Sequence, residues 1–390
     1  MIFLPSDMDI LLACLRLYLG TITIDEVTGL LSKSIDWKTL IQTSIAQGVM
    51  PILYESLKTI EQKYVPRSVM VQLQTLNRMN GLNNLSRVQE LLKILLVLEK
   101  EGIEAIPFKG PILASCAYGN IALRQYNDLD IIVRKQDFWQ AKAVLMNLGY
   151  TSKLSEKRQL NTITSIRQIS LSHVSVEAEM FNRQFQPSLM HSNLERNIDL
   201  HWGIYLRKFL NPDQLERFWQ HLVSVKLSNQ SVQTFSPEVA LIIQCFNLAK
   251  DGSRYRSLKQ FFDIAQIIKA HPNLNWDLVL DITSELRTSR LCMLWLGIVH
   301  GLLGIPLPIV IIPAFNKNQL GYDEATNYDF HQSADTILDL WLRYANSFKT
   351  LDGWGDRFRF TVYAVKYLSI KFLLKNTVLC SSLELEDGSP

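Results

Sequence analysis

The sequence is poor in the residues that staple a chain or ligate a metal. Its five cysteines, Cys14, Cys116, Cys245, Cys292 and Cys380, are scattered and form no CxxC pair. This excludes a thiolate zinc site and a disulfide-built scaffold, and it makes a reducing, cytoplasmic setting the simpler expectation. The seven histidines show no HxH or HExxH spacing, so no histidine-built metal site is expected. Long apolar runs are missing too. Residues 291–313 come nearest, but Pro306 and Pro308 interrupt them. About 15 helical residues remain, short of the roughly 20 that a membrane span needs. A buried helix followed by a proline-locked loop is expected there, with no transmembrane segment. The N-terminal stretch "MIFLPSDMDILLACLRLYLG" has no basic n-region, and acids break its apolar run. It reads as an amphipathic helix and not as a signal peptide.

Charge of one sign is equally scarce. The 390 residues carry a net charge of +3, with 47% hydrophobic and 20% charged residues. A mild basic excess suits an anionic ligand but lacks the concentrated stripe of a dedicated nucleic-acid binder. The apolar fraction can bury substantial cores, and the length suggests two or three domains. There is no internal repeat and no low-complexity segment.

What is present changes period along the chain. Residues 1 to 102 read as helical, with apolar residues at 85, 88, 92 and 95 marking one face of a long helix that closes near Gly102. From 103 to 235 the pattern alternates between strands and helices. "AIPF" is a short buried strand, "PILASCAY" a helix opened by proline, 129–133 a strand, 137–148 a helix, and Tyr150 starts a further strand. "HVSVEAEM" (173–180) and "NIDLHWGI" (197–204) are two more strand candidates, separated by a loop. From 236 to 390 the helical period returns. The expected architecture is therefore α+β: a small mixed-sheet core between N-terminal and C-terminal helical regions.

The chemistry concentrates in "YNDLDIIV". Side chains alternate along a strand, so Asp128 and Asp130 share one face while Leu129, Ile131 and Val133 share the other. Two carboxylates this close repel and raise each other's pKa. A divalent cation carrying phosphate oxygens relieves that repulsion; a pair of solvated aspartates capping a loop is the plainer alternative. Upstream, "FKGP" supplies a strand end, the permissive Gly110 and a helix N-terminus suited to an anion, with Lys109 adding a cation. Arg124 lies just before the carboxylate strand, either as a phosphate contact or as half of a salt bridge.

Strand, glycine turn, helix, arginine and DxD on the next strand together resemble the nucleotidyltransferase superfamily of DNA polymerase beta and the antibiotic nucleotidyltransferases. More closely, residues 106–150, "IDLHW" and "LKQFFDIA" resemble a family of uncharacterised bacterial nucleotidyltransferases that carry Lys-Gly where the superfamily has Gly-Ser. The resemblance implies a nucleotidyltransferase core at 103–235 and transfer of a nucleoside monophosphate from an NTP to an acceptor hydroxyl, with pyrophosphate leaving. It implies two magnesium ions held by Asp128, Asp130 and a third carboxylate, and an NTP as co-substrate. Asp199 in "NIDLHW" is the expected third acid, with Glu177 and Glu179 as competitors. Lys109, Gly110 and Arg124 are the expected nucleotide-binding residues. Lys109 departs from the superfamily's serine and would hold phosphate as a point charge.

His201 is expected to be a hydrogen-bonded support and not a ligand. Asp263 is expected either in an ion pair with Arg256 or Lys259 or reaching toward the nucleotide or acceptor, and Arg254, Arg256 and Lys259 either line a triphosphate cleft or stand in solvent. "RFRFTVYAVKYLSIKFLLK" (357–375) reads as a packed helix with snorkelling cations. The expected acceptor is a small molecule, peptide or protein, with nucleic acid not favoured. A catalytically silent nucleotide-binding or regulatory protein is the alternative function.

Overall fold

The computed structural model describes residues 7–152, 188–191, 196–204, 216–250, 258–308 and 311. The strand expected at 173–180 and the helix expected at 357–375, with Glu177, Glu179, Arg254 and Arg256, lie outside the described residues.

Four short helices open the chain: α1 (Asp7–Leu19), α2 (Ile24–Leu31), α3 (Trp37–Ala46) and α4 (Met50–Lys58). Local signals fix their ends. Thr23 and Glu26 form a reciprocal capping box on α2, and the Asp36 side chain accepts from the Thr39 N–H at the start of α3. Helix α5 (Arg67–Lys100) runs for 34 residues, on the order of 50 Å at the α-helical rise.

The central sheet contains β1 (Ala105–Pro107), β2 (Asp128–Val133), β3 (Tyr150–Ser152), β4 (Ser188–His191) and β5 (Arg196–His201), in the order β1-β2-β5-β4-β3. Strand β2 runs parallel to β5, while the other neighbours are antiparallel. Helices α6 (Gly110–Cys116) and α7 (Phe138–Asn147) connect its strands. Leu129, Ile131 and Val133 of β2 pack with Ile198 and Leu200 of β5 against Val88, Leu91, Ile94 and Leu98 of α5 and Phe138, Ala141 and Leu145 of α7. One face of the sheet is thus a dry layer under two helices, which leaves the polar residues of β2 and β5 on the opposite face.

A short helix, α8 (Glu216–Trp219), precedes a separate hairpin of β6 (Leu222–Leu227) and β7 (Gln230–Phe235). The hairpin docks on β1, where the Thr234 hydroxyl donates to the Pro107 carbonyl at 2.7 Å. Helices α9 (Pro237–Lys250), α10 (Leu258–Ala270), α11 (Trp276–Glu285) and α12 (Ser289–Leu303) follow. Their apolar faces share one core with α1, α3 and α4: Leu11, Leu15, Leu40 and Leu53 pack in the same cluster as Phe246, Phe261, Phe262 and Leu296. Polar contacts seal the join. The Arg16 Nε donates to the Leu302 carbonyl at 2.8 Å and the Thr21 hydroxyl to the Leu303 carbonyl at 2.7 Å.

The α+β expectation holds: a mixed sheet flanked by N-terminal and C-terminal helices. One local reading needs correction. The loop expected between 181 and 193 contains strand β4, whose four residues are too few to display a period. The helical stretch from 276 is divided at Arg287, which has φ 56, so α11 and α12 are separate. Helix α12 is buried, and among the described residues no helix is long and apolar enough to cross a membrane.

Candidate active site

Register builds the site. In the parallel pair, Asp130 lies opposite Asp199, and Asp128 lies opposite Asn197. Alternation then puts Asp128, Asp130, Asn197, Asp199 and His201 on the face that α5 and α7 leave uncovered. Asp130, Asp199 and His201 are all buried, at 6%, 8% and 4% exposure. Ligand-type atoms from these three lie within 4.8 Å of one another.

The two aspartates of β2 are not equivalent. The Asp130 Oδ1 accepts from Lys109 Nζ at 3.0 Å and lies 3.0 Å from His201 Nε2. Burial alone would raise the Asp130 carboxyl, but the Lys109 charge and the His201 hydrogen bond outweigh it and hold it well below the usual carboxylate range. Asp128 goes the other way. Burial, then the charges of Asp130 and Asp199, push its carboxyl up, with Lys109 and Lys259 only partly offsetting them. Burial lowers the His201 imidazole despite its bond to Asp130, which favours the neutral ring. Burial opposes the Lys109 charge, yet Asp130, Asp128 and Asp199 together hold that ammonium above its ordinary value.

The turn before α6 brings Lys109 in. Gly110 has φ +44, and a Cβ there would lie 3.2 Å from the Asp128 carbonyl. A side chain at this position would meet both left-handed strain and the backbone of β2. Pro111 follows in the first turn of α6, where its missing N–H costs no hydrogen bond.

Arg124 lies beside this group and is engaged elsewhere. Its Nε and Nη2 donate to Asp263 Oδ1 and Oδ2, both at 2.8 Å, and the Tyr118 hydroxyl donates to Oδ1 at 2.6 Å. The expected partner of Asp263 was Arg256 or Lys259. Arg256 lies outside the described residues; among the described ones Asp263 pairs with Arg124, 139 residues away, because α10 packs against the segment leading into β2. Asn84 and Asn80 of α5 donate to the Arg124 carbonyl at 2.8 and 3.4 Å, holding the same segment from the other side. Lys259 Nζ donates to the Gln125 carbonyl at 3.2 Å, and the Gln125 side chain accepts from the Met50 N–H at 3.1 Å. Burial and then the Arg124 charge hold the Lys259 ammonium below its ordinary value, with Asp128 among the acids that oppose this.

The chemistry of the donors suits a hard divalent cation. The carboxylates of Asp130 and Asp199 converge with His201, Asp128 stands on the same face outside that cluster, and the buried amide oxygen of Asn197 has no hydrogen-bond partner among the described residues. Oxygen donors of this kind fit magnesium or manganese, and an imidazole at the edge is tolerated better by manganese. Asn197 was not singled out from the sequence, although its spacing of two from Asp199 was the available signal.

Residues 33–304 match the family described as "Uncharacterised nucleotidyltransferase". The chain belongs to this family. No curated protein matches the sequence. Among solved structures, the antibiotic-resistance factor ANT(2'')-Ia is similar at 10% identity and a TM-score of 0.33, over 52% of this chain and 92% of that one. The lincosamide antibiotic adenylyltransferase LnuA, bound to lincomycin, is similar at 17% identity and a TM-score of 0.29, over 46% and 94%. An antigenic nucleotidyltransferase-like protein from Paracoccidioides brasiliensis gives 15% identity and a TM-score of 0.29, over 52% and 93%. Likenesses of this degree leave the family match to carry the assignment. Membership of the nucleotidyltransferase family supports nucleotidyl transfer as the general class of chemistry.

Proposed function

We propose that the protein transfers a nucleoside monophosphate from an NTP, such as ATP, to an acceptor hydroxyl in a reaction that depends on a divalent cation of the magnesium class. The observation that supports this reading most directly is the register of β2 on β5, which sets Asp130 beside Asp199 with Asp128 on the same face. Asp128, Asp130 and Asp199 would hold the cation. Bound there, it supplies charge neutralisation for the phosphates and for the oxygens that attack and leave.

The protein's own groups do the rest. Asp199 accepts the proton of the acceptor hydroxyl as its oxygen bonds to the α-phosphorus. The bond from the α-phosphorus to the bridging oxygen breaks, and pyrophosphate carries away that electron pair. His201 orients Asp130 by its hydrogen bond. The turn at Lys109 and Gly110, with the backbone that opens α6, faces the phosphates. Arg124, expected on phosphate from the sequence, is proposed to act through Asp263 by fixing the segment that delivers Asp128. Residues 103–235 are proposed as the chemical unit, with the regions at 1–102 and 236–390 shaping the acceptor pocket. The acceptor is proposed to be a small molecule, peptide or protein, and the reaction to take place in the cytoplasm.

Purified protein incubated with magnesium, each NTP in turn and an acceptor panel should release pyrophosphate and add a nucleotide mass to an acceptor or to itself. Asp128→Asn and Asp130→Asn should each abolish both signals. Retained turnover in both variants would overturn the assignment. The Lys109–Asp130 ion pair gives one specific reason to keep the rival reading of nucleotide binding without turnover. Magnesium-dependent NTP binding with no pyrophosphate release across the panel would favour that rival.

A further inference from the structure

We infer that the Lys109 ammonium occupies one of the cation positions of this carboxylate group, so that the site takes one divalent ion with its nucleotide and not two. The inference rests on the proposed function and refines its metal count.

Lys109 is built into the site and is not a surface lysine leaning on it. Its side chain is 15% exposed, and its Nζ lies 3.0 Å from the Asp130 Oδ1. That same oxygen lies 3.0 Å from His201 Nε2. One carboxylate oxygen of the pair therefore already has two nitrogen partners. A second metal sharing Asp130 would have to displace an ammonium or stand beside it, and cations at such separations repel strongly where water is scarce. Gly110 limits the alternatives, because the turn that aims Lys109 runs so near β2 that a Cβ on Gly110 would lie 3.2 Å from the Asp128 carbonyl.

An ammonium is a competent substitute for part of a metal's work. It is a compact positive charge with three donors, able to hold a carboxylate and phosphate oxygens together. It cannot lower the pKa of a bound hydroxyl as a coordinated ion does. The division that follows is one ion near the attacking oxygen and a fixed ammonium on the phosphate side.

Manganese and an NTP analogue with a non-hydrolysable α,β bridge are the probes. Bound ion is counted by the loss of free manganese signal in electron paramagnetic resonance, and paired ions are detected by their spin coupling. Wild-type protein should bind one manganese per chain with no coupled spectrum. Lys109→Ala and the better-filling Lys109→Met should bind two, coupled, while Lys109→Arg should bind one. Two coupled ions in the wild type would overturn the inference and leave the proposed function standing. One ion in wild type and also in folded Lys109→Ala and Lys109→Met would overturn it as well, since the lysine would then not set the count. No ion in the wild type with analogue bound would remove the metal-dependent reading itself. If both apolar variants fail to fold, two ions in the charge-retaining arginine variant would still overturn the inference.

Discussion

At the scale of the residue, Asp128 and Asp130 are two positions apart in sequence and opposite in electrostatic state. Asp130 has its counter-charge in Lys109. Its folded pKa lies below the ordinary 3.8, so its contribution to stability is present above that value and is lost as pH falls through the lower folded one. Asp128 is raised above 3.8, so its carboxyl favours folding in the protonated form, and that advantage is lost as pH rises through the folded value. In metal-free protein at neutral pH, Asp128→Asn should therefore raise the melting temperature, with the gain shrinking as pH approaches 3.8. Asp130→Asn should lower stability by about 3 kcal/mol, because it leaves a largely buried ammonium without its carboxylate. Calorimetry in chelator checks both. With magnesium and NTP present, the Asp128→Asn gain should vanish, since the wild type alone then has its ligand.

At the scale of the element, the segments that form the candidate site were legible because their signals are local. The DLDIIV strand shows its period within six residues, and Gly110-Pro111 announces the start of α6. The strand that carries Asp199 was legible in "NIDLHWGI". What the sequence hid has partners elsewhere. The β6–β7 hairpin turns through Ser228 at φ 55 without a glycine, so it lacks the usual turn signature. Asp263 looked suited to nearby basic residues, and its partner among the described residues comes from the approach to β2. The turn into α6 can be tested directly. Gly110→Ala should cost about 1–2 kcal/mol from left-handed strain alone. It should also weaken manganese binding, because the new methyl presses on the strand that carries Asp128. Urea unfolding and a metal titration would read the two effects separately.

At the scale of the whole molecule, helices α1, α3 and α4 and helices α9 to α12 close over one apolar core, and α10 reaches from it to the proposed site. Arg124 and Asp263 form that link, at 5% and 1% exposure. Asp263→Ala leaves a buried guanidinium uncompensated and should cost about 3–5 kcal/mol. It should also reduce transfer, because the segment delivering Asp128 loses its hold. A urea midpoint lowered with unchanged transfer would separate α10 from the site.

The parallel pairing of β2 with β5 also sets a timetable. A polypeptide grows from its N-terminus at about 5–20 residues per second. Asp130 and His201 are 71 residues apart and Arg124 and Asp263 are 139 apart, so each half waits on the ribosome for its mate. Helices α1, α3 and α4 wait longer still for the apolar surface that covers them. The apolar faces of α1, α3 and α4 therefore stay uncovered until α9 to α12 have followed.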